Sequence, residues 1–227
     1  MRIFLTLILT FMIICPAGNA ALAQSDARLT ESLNFLNRSK PLQNPQFDHS
    51  QEVLDHHILD RRNRVVGEVD DILLTKNGDV SALSVELDRL RIRDKILLNY
   101  SEMRIRDISD AYALNMDDDQ IEELLPTLLN SIETASGESA DVYSLKKLKG
   151  ARLIAEDGRR LGTVSEILFE DNSPRAQALY VNLKYKTIRD ELAIPFSITQ
   201  PVQKGSALEV ILKNAQADAI LEYARER

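Results

Sequence analysis

The sequence predicts a mainly β fold of two tandem small β-barrels, each followed by a short C-terminal helix. Three observations carry this: a repeat at fixed spacing, a period of two within each copy, and a change of parity at one point in both copies. Val66-Gly67-Glu68-Val69-Asp70-Asp71-Ile72-Leu73-Leu74 lies over Leu161-Gly162-Thr163-Val164-Ser165-Glu166-Ile167-Leu168-Phe169, 95 residues further on. Downstream, Ala82 to Leu87 matches Ala178 to Leu183, and Ile92-Arg93-Asp94 recurs as Ile188-Arg189-Asp190 at a spacing of 96. The extra residue falls in the turn Asp171 to Pro174. Two copies are too few for a solenoid, so they read as two modules.

Before the repeat, residues 1–23 read as an export signal. Arg2 is the one charge, Ile3 to Ile14 is apolar apart from Thr6 and Thr10, and Ala21-Leu22-Ala23 supplies small residues for cleavage between Ala23 and Gln24. The run is shorter than the roughly 20 residues a membrane span needs. A lipid-modified Cys15 is disfavoured by bulky Ile14 before it and Pro16 after it. The expectation is a periplasmic protein with no transmembrane helix in its mature chain. Cleavage removes the one cysteine, which excludes disulfides, thiol catalysis and Cys-zinc sites. Residues 24–52, with Pro41 and Pro45, read as a flexible arm carrying at most a short helix around Leu29 to Leu36.

Module 1 is expected over residues 53–133. Leu83, Val85 and Leu87 alternate with Ser84 and Glu86, the pattern of a strand with one core face. In the strand before it, Val65, Gly67 and Val69 share one parity, but beyond Asp70-Asp71 the apolar set moves to Ile72 and Leu74. Module 2, residues 145–227, makes the same switch across Ser165-Glu166. A switch at one point in both copies indicates a bulge that bends a long strand around a small barrel, with Gly67 and Gly162 at the bends. Asn77-Gly78 and Asp157-Gly158 supply hairpin turns, Asn-Gly accepting positive φ at both positions. Asp117, with Gln120 three residues on, suits a capping box for the first helix, and Asn214 suits the cap of the second. Residues 134–144, rich in small polar side chains, read as the linker, where mild proteolysis should release two fragments.

Composition narrows function. Of the residues, 44% are apolar and 28% charged, an ordinary globular balance. The net charge of −7, which becomes −8 without Arg2 (27 basic against 35 acidic residues), argues against nucleic acid as a partner. With no Trp and 5% aromatics, stacking platforms for bases or sugars are few.

Gly150-Ala151-Arg152-Leu153, Asp157-Gly158, Leu161-Gly162-Thr163-Val164, Ala178 to Leu183 and Leu192-Ala193-Ile194-Pro195-Phe196 together resemble the PRC-barrel domains, found in the photosynthetic reaction-centre H subunit and the ribosome-maturation factor RimM. The first copy keeps Val66 to Leu73 and Asn77-Gly78, but has Leu97-Leu98-Asn99-Tyr100 in place of the family's Val-Pro-Phe type ending. The resemblance implies two PRC-type barrels used for docking and assembly, with no catalytic residues and no cofactor. No functional residue is carried over from the two better-known members, whose membrane helix and RNA-contacting domain have no counterpart in this sequence.

No nucleophile elbow or Gly-rich phosphate loop appears, so an enzyme is not expected. Asp117-Asp118-Asp119 lacks the alternation of a calcium loop and suits a helix start. Arg61, Arg62, Arg64, Arg89, Arg91, Arg93 and Lys95 put seven cations on the first copy, a docking rim for a protein partner or an anionic envelope component if the loops converge. The alternative is a metal- or small-ligand-responsive sensor using His49, His56 and His57, although His56 and His57, adjacent on a strand, point to opposite faces.

Overall fold

A computed structural model describes residues 17–87, 95–108, 110–135, 142–170 and 173–227. Ahead of the first sheet come α1 (Ala17–Asn37), β1 (Phe47–His49) and α2 (Ser50–Leu54). The first sheet takes β2 (His57–Leu59), β3 (Val65–Thr75), β4 (Val80–Glu86), β5 (Ile96–Asn99), β6 (Arg106–Ile108) and β7 (Ala111–Ala113), and α3 (Asp118–Ala135) follows it. Next come β8 (Val142–Ser144) and α4 (Leu145–Leu148). The second sheet takes β9 (Arg152–Ala155), β10 (Arg160–Glu170), β11 (Ala176–Tyr185), β12 (Ile188–Pro195), β13 (Gln200–Lys204) and β14 (Ala207–Leu212), closed off by α5 (Asn214–Glu226). The chain is thus mainly β. Among the described residues no helix is long and apolar enough to cross a membrane.

Strand order is β5-β4-β3-β2-β7-β6 in one sheet and β12-β11-β10-β9-β14-β13 in the other, corresponding strand for strand. Within each sheet one pair is parallel, β2 with β7 and β9 with β14. The seventh strand of each sheet comes from the segment that leads into the other. β1 and α2 precede β2, yet β1 pairs with β10 through Phe47↔Glu170 and His49↔Leu168. β8 and α4 precede β9, yet β8 pairs with β3 through Val142↔Thr75 and Ser144↔Leu73. Each half therefore lends a strand and a short helix to its neighbour.

The expected bulges are present. Register moves from Val69↔Val85 to Asp71↔Ser84 across Asp70, and from Val164↔Val181 to Glu166↔Tyr180 across Ser165. The bulge changes which parity faces inward, so Val69, Ile72 and Leu74 are all buried, as are Val164, Ile167 and Phe169. Gly67 and Gly162 sit where strands crowd: a Cβ on either would lie 2.2 Å from the carbonyl oxygen of Glu86 or Asn182. One continuous apolar core takes residues from both sheets, with Leu145 and Leu148 of α4 and Leu29 and Leu33 of α1 in it. At about 1.5 to 3 kcal/mol per fully buried large aliphatic side chain, that core is the main stabilising term for both halves together.

The hairpin tips lock as well. Val80 N donates to Pro174 O at 2.8 Å and Ala176 N to Gly78 O at 2.9 Å, while Asp79 and Arg175 form a bridge. Gly78, at φ 89°, lies so close to Phe196 and Ala176 O that a Cβ would clash with both.

Several expectations are corrected. Among the described residues the strand paths are open, because no ladder joins β12 to β13 or β5 to β6, so the sheets are not closed barrels. Pro195 in β12 and Pro201 in β13 have no N–H to give a ladder, and β5 and β6 are only 4 and 3 residues long. The arm expected to be flexible is built in: Leu29, Leu33 and Leu36 are buried and Asn37 makes two hydrogen bonds to the backbone of Ala193. Its leucines at i, i+4 and i+7 had a sheet face to cover.

That face includes Tyr180, buried with Leu36, Phe47, Leu168, Ala178 and Ala193. The linker is trimmed from both ends, since α3 runs to Ala135 and Val142–Ser144 is β8; residues 136–141 lie outside the described residues. Asn214 does not cap α5. Its Oδ1 accepts from Asp157 N at 3.1 Å, and Gln216 Oε1 takes the N–H of the actual cap residue, Lys213. In the first hairpin turn only Gly78 has positive φ, because the loop is three residues long with glycine in its left-handed last position. The expected Ala23–Gln24 cleavage point lies inside α1, and residues 1–16 are outside the described residues.

Exchange should hold the halves together under native conditions. A single cut engineered within 136–141 should leave fragments that co-elute on size exclusion and part only in denaturant. Gly162→Ala should lower stability by roughly 1 to 3 kcal/mol, read as a shift of one cooperative transition rather than the loss of half the signal.

Candidate functional site

The cations of the first half are placed by two loops. Between β2 and β3, Asp60 N donates to Arg64 O and Asn63, at φ 57°, takes the left-handed position that Gly78, Gly158 and Gly205 fill in other hairpins. Buried Asp60 organises this turn. Its Oδ1 accepts from the backbone N–H of Arg62 and of Arg64, both at 2.8 Å, and its Oδ2 accepts from Arg64 Nε at 2.7 Å. Burial pushes the Asp60 carboxyl up, but its bonds to the backbone and side chain of Arg64 outweigh burial and hold it below the usual range. Arg64 is thus a structural partner.

Arg61 and Arg62 extend from this scaffold, more than half exposed, and share one carboxylate: Asp117 Oδ2 is 2.8 Å from Arg61 and 3.5 Å from Arg62. Asp117 also caps α3, as the sequence indicated, with Gln120 N donating to Oδ1 and Asp117 N donating to Gln120 Oε1. Two guanidinium groups thus share one carboxylate at this turn. The corresponding turn of the second half carries Glu156 and Asp157, and its Arg159 is tied to Asp157 and Asp218 at 2.6 Å each.

Lys95 immediately precedes β5 and reaches across to β3. It shares the bulge residue Asp70 with Lys146 of the exchanged helix, at 2.7 and 2.8 Å. Burial raises the Asp70 carboxyl, and the hydrogen bonds from Lys146 and Lys95 more than reverse this. The next carboxylate, Asp71, accepts from Ser144 Oγ at 2.5 Å and from Lys146 N at 3.1 Å, so it caps α4. In the second sheet Glu166 stands at the equivalent place and accepts from the hydroxyl of Ser50, which opens the other exchanged helix. The sequence marks these carboxylates as the points of the parity switch but not as partners of the exchanged helices. A Ser two or three residues before a Lys pair is too common a pattern to mark a cap whose partner is over 70 residues away.

Arg89, Arg91 and Arg93 lie outside the described residues, but the ends of their loop do not. Glu68 pairs with Glu86, Val85 with Ile96, and Leu59 with Val65. β4 therefore ends, and β5 begins, at the end of the sheet that carries the Arg61–Arg64 turn.

The histidines do not converge. His57 is exposed and 3.9 Å from Glu68; His49 ends β1, and its N–H donates to Glu52 Oε2 at 2.8 Å. His56 is buried against Tyr112, ring centroids 5.1 Å apart. Its Nδ1 has no hydrogen-bond partner among the described residues, with Asp107 Oδ1 too far at 3.9 Å. Among the described residues no three His, Cys, Asp or Glu side chains are grouped as a metal would need. Burial is the largest influence on His56 and lowers its pKa below 6.5, against the opposing pull of Asp48, Asp110, Glu52 and Asp55. Burial likewise lifts the Tyr100 hydroxyl to about 12.

Residues 140–213 match the PRC-barrel domain family. The match covers the second half, where the resemblance was densest in the sequence. No curated protein matches the chain.

Neutral His56 generates a pH dependence. Because its folded-state pKa is lowered, the unfolded chain binds the extra proton, and stability is present above about pH 6.5 and lost as pH falls through the lowered value. Urea midpoints between pH 7.5 and 5.5 should drop for the native chain and drop less for His56→Phe; equal slopes would remove His56 from the account.

Proposed function

Taking the PRC-barrel domain at residues 140–213 as premise, we propose that this is a non-catalytic binding and assembly protein, an adaptor built of two PRC-barrel modules. In this reading the first half is a diverged copy of the second, and the bent open sheets are barrel-type modules that have traded strands. Docking runs through the basic end of the first sheet, toward a protein partner or an anionic component of the envelope. The site of action is the periplasm, reached after cleavage between Ala23 and Gln24.

One observation supports the docking face: β4 ends and β5 begins at the same end of the sheet as the Arg61–Arg64 turn, where the exposed Arg61 and Arg62 share a single carboxylate, Asp117. Exposed cations on a rigid, core-backed turn give steering and register to an anionic partner. Rigidity also suits an adaptor, which loses little entropy when it binds. The sensor reading, resting on His49, His56 and His57, stands behind it, because His56 is enclosed and His57 points away from it.

The test uses the exported protein. Its intact mass should begin at Gln24, and cross-linking in cells should yield partner adducts that weaken several-fold in Arg89→Ser/Arg91→Ser/Arg93→Ser and with added salt, without loss of stability. Undiminished adducts in that variant would defeat the basic-end reading. A mass retaining residues 1–23 would defeat the compartment. A thermal shift with Ni²⁺ or Zn²⁺, abolished by His49→Ala/His57→Ala, would bring the sensor forward.

A further inference from the structure

A second charged feature lies in the other half, away from the Arg61 turn. Beyond α4 the chain turns at Lys149-Gly150 into β9, and the β13–β14 hairpin faces that turn. Between them is a cleft of about 410 Å³, its lining including Lys147, Lys149, Gly150, Arg152, Ser206 and Leu208. Volumes of this order hold small ligands.

The charges around this cleft do not cancel. Lys149 Nζ is 2.9 Å from Glu166 Oε2. Arg152 and Lys204 converge on one buried carboxylate, Glu209, at 2.5 Å each. Lys204 first, with the guanidinium of Arg152 assisting, holds that carboxyl below the usual range despite the opposing effect of burial, so Glu209 stays ionised as a fixed counter-charge. Lys147 is exposed, and no carboxylate among the described residues pairs with it. Four cations thus face two carboxylates, an excess of two positive charges on a chain of net −7.

Shape adds to charge. Gly150 has φ 89° and open space where its Cβ would be, so the backbone at the cleft is bare. Ser206 adds an exposed hydroxyl from the opposite wall, and buried Leu208 gives an apolar floor. Lysine ammonium groups and a hydroxyl beside an unobstructed backbone are suited to a compact multivalent oxyanion.

We propose that this cleft binds a phosphate group, carried by a small molecule or by a lipid headgroup, with Lys147 as its principal ion partner. Lys149 and Arg152 add field while remaining on their carboxylates. The site is independent of the adaptor's basic end, since it shares no residue with it.

The probes are inorganic pyrophosphate, titrated into the full chain by calorimetry at low salt, and vesicles of phosphatidylglycerol in phosphatidylcholine, tested by flotation. Pyrophosphate should bind, and Lys147→Glu and Ser206→Asp, on different elements, should each weaken it by tenfold or more. Lys184→Glu, an exposed substitution of equal charge change on β11, should leave it within twofold. Flotation lost in Lys147→Glu assigns the phosphate to a headgroup. Pyrophosphate binding without flotation assigns it to a soluble molecule. Equal weakening in Lys184→Glu would reduce the effect to overall charge and overturn the site, as would absence of binding to either probe. Arg89→Ser/Arg91→Ser/Arg93→Ser should not change these readings, so failure here and failure at the basic end are separate results.

Discussion

Each sheet of this protein is completed by a strand that its own half does not own. β1 lies on β10 and β8 lies on β3, and both carry a short helix that delivers apolar or capping contacts to the sheet they join. A strand of three residues cannot persist in water by itself, so neither β1 nor β8 is stable except as part of the neighbour's ladder. The shared core and the clasped tips at Gly78 and Ala176 follow from that trade.

The exchange is secured where the long strands bulge. A bulge releases one residue from the ladder and turns the next side chain outward. In the first sheet Asp70 and Asp71 occupy those positions and are met by Lys95, Lys146 and Ser144; in the second, Glu166 is met by Ser50 and Lys149. Carboxylates at the bulges thus act as sockets for the incoming helices. The same lysine-rich helix that fills the first socket places Lys147 and Lys149 at the edge of the cleft, so assembly of the fold and the charge of its surface come from one segment.

Local and short-range features were legible in the sequence. Alternation in Leu83-Ser84-Val85-Glu86-Leu87 specified a strand face, the parity switch at Asp70 located the bulge, and Asp117 with Gln120 announced a helix start, all within a few residues of the structure they describe. What depended on distant partners was not legible. Nothing in Phe47-Asp48-His49 says that its ladder partner is 120 residues away, and Leu29, Leu33 and Leu36 show a face without showing what it covers. Closure is not legible for a similar reason: a bent strand is needed for a barrel, but whether the last strands meet is decided by segments far apart in the chain. Of the candidate site, residue types were readable, whereas the division between Arg64, held by Asp60, and the more exposed Arg61 and Arg62, which share Asp117, required the turn geometry.

The traded strands also dictate an order of events as the chain is made. β3 emerges early, but the strand that finishes its edge comes only with Val142–Ser144, and β1 waits for β10 to reach Glu170. Until three quarters of the chain exists, the first half holds unpaired strand edges and a partly filled core. Folding is therefore a late, high-contact-order event, and the unfinished chain is in the condition most exposed to aggregation and most easily kept unfolded by a chaperone.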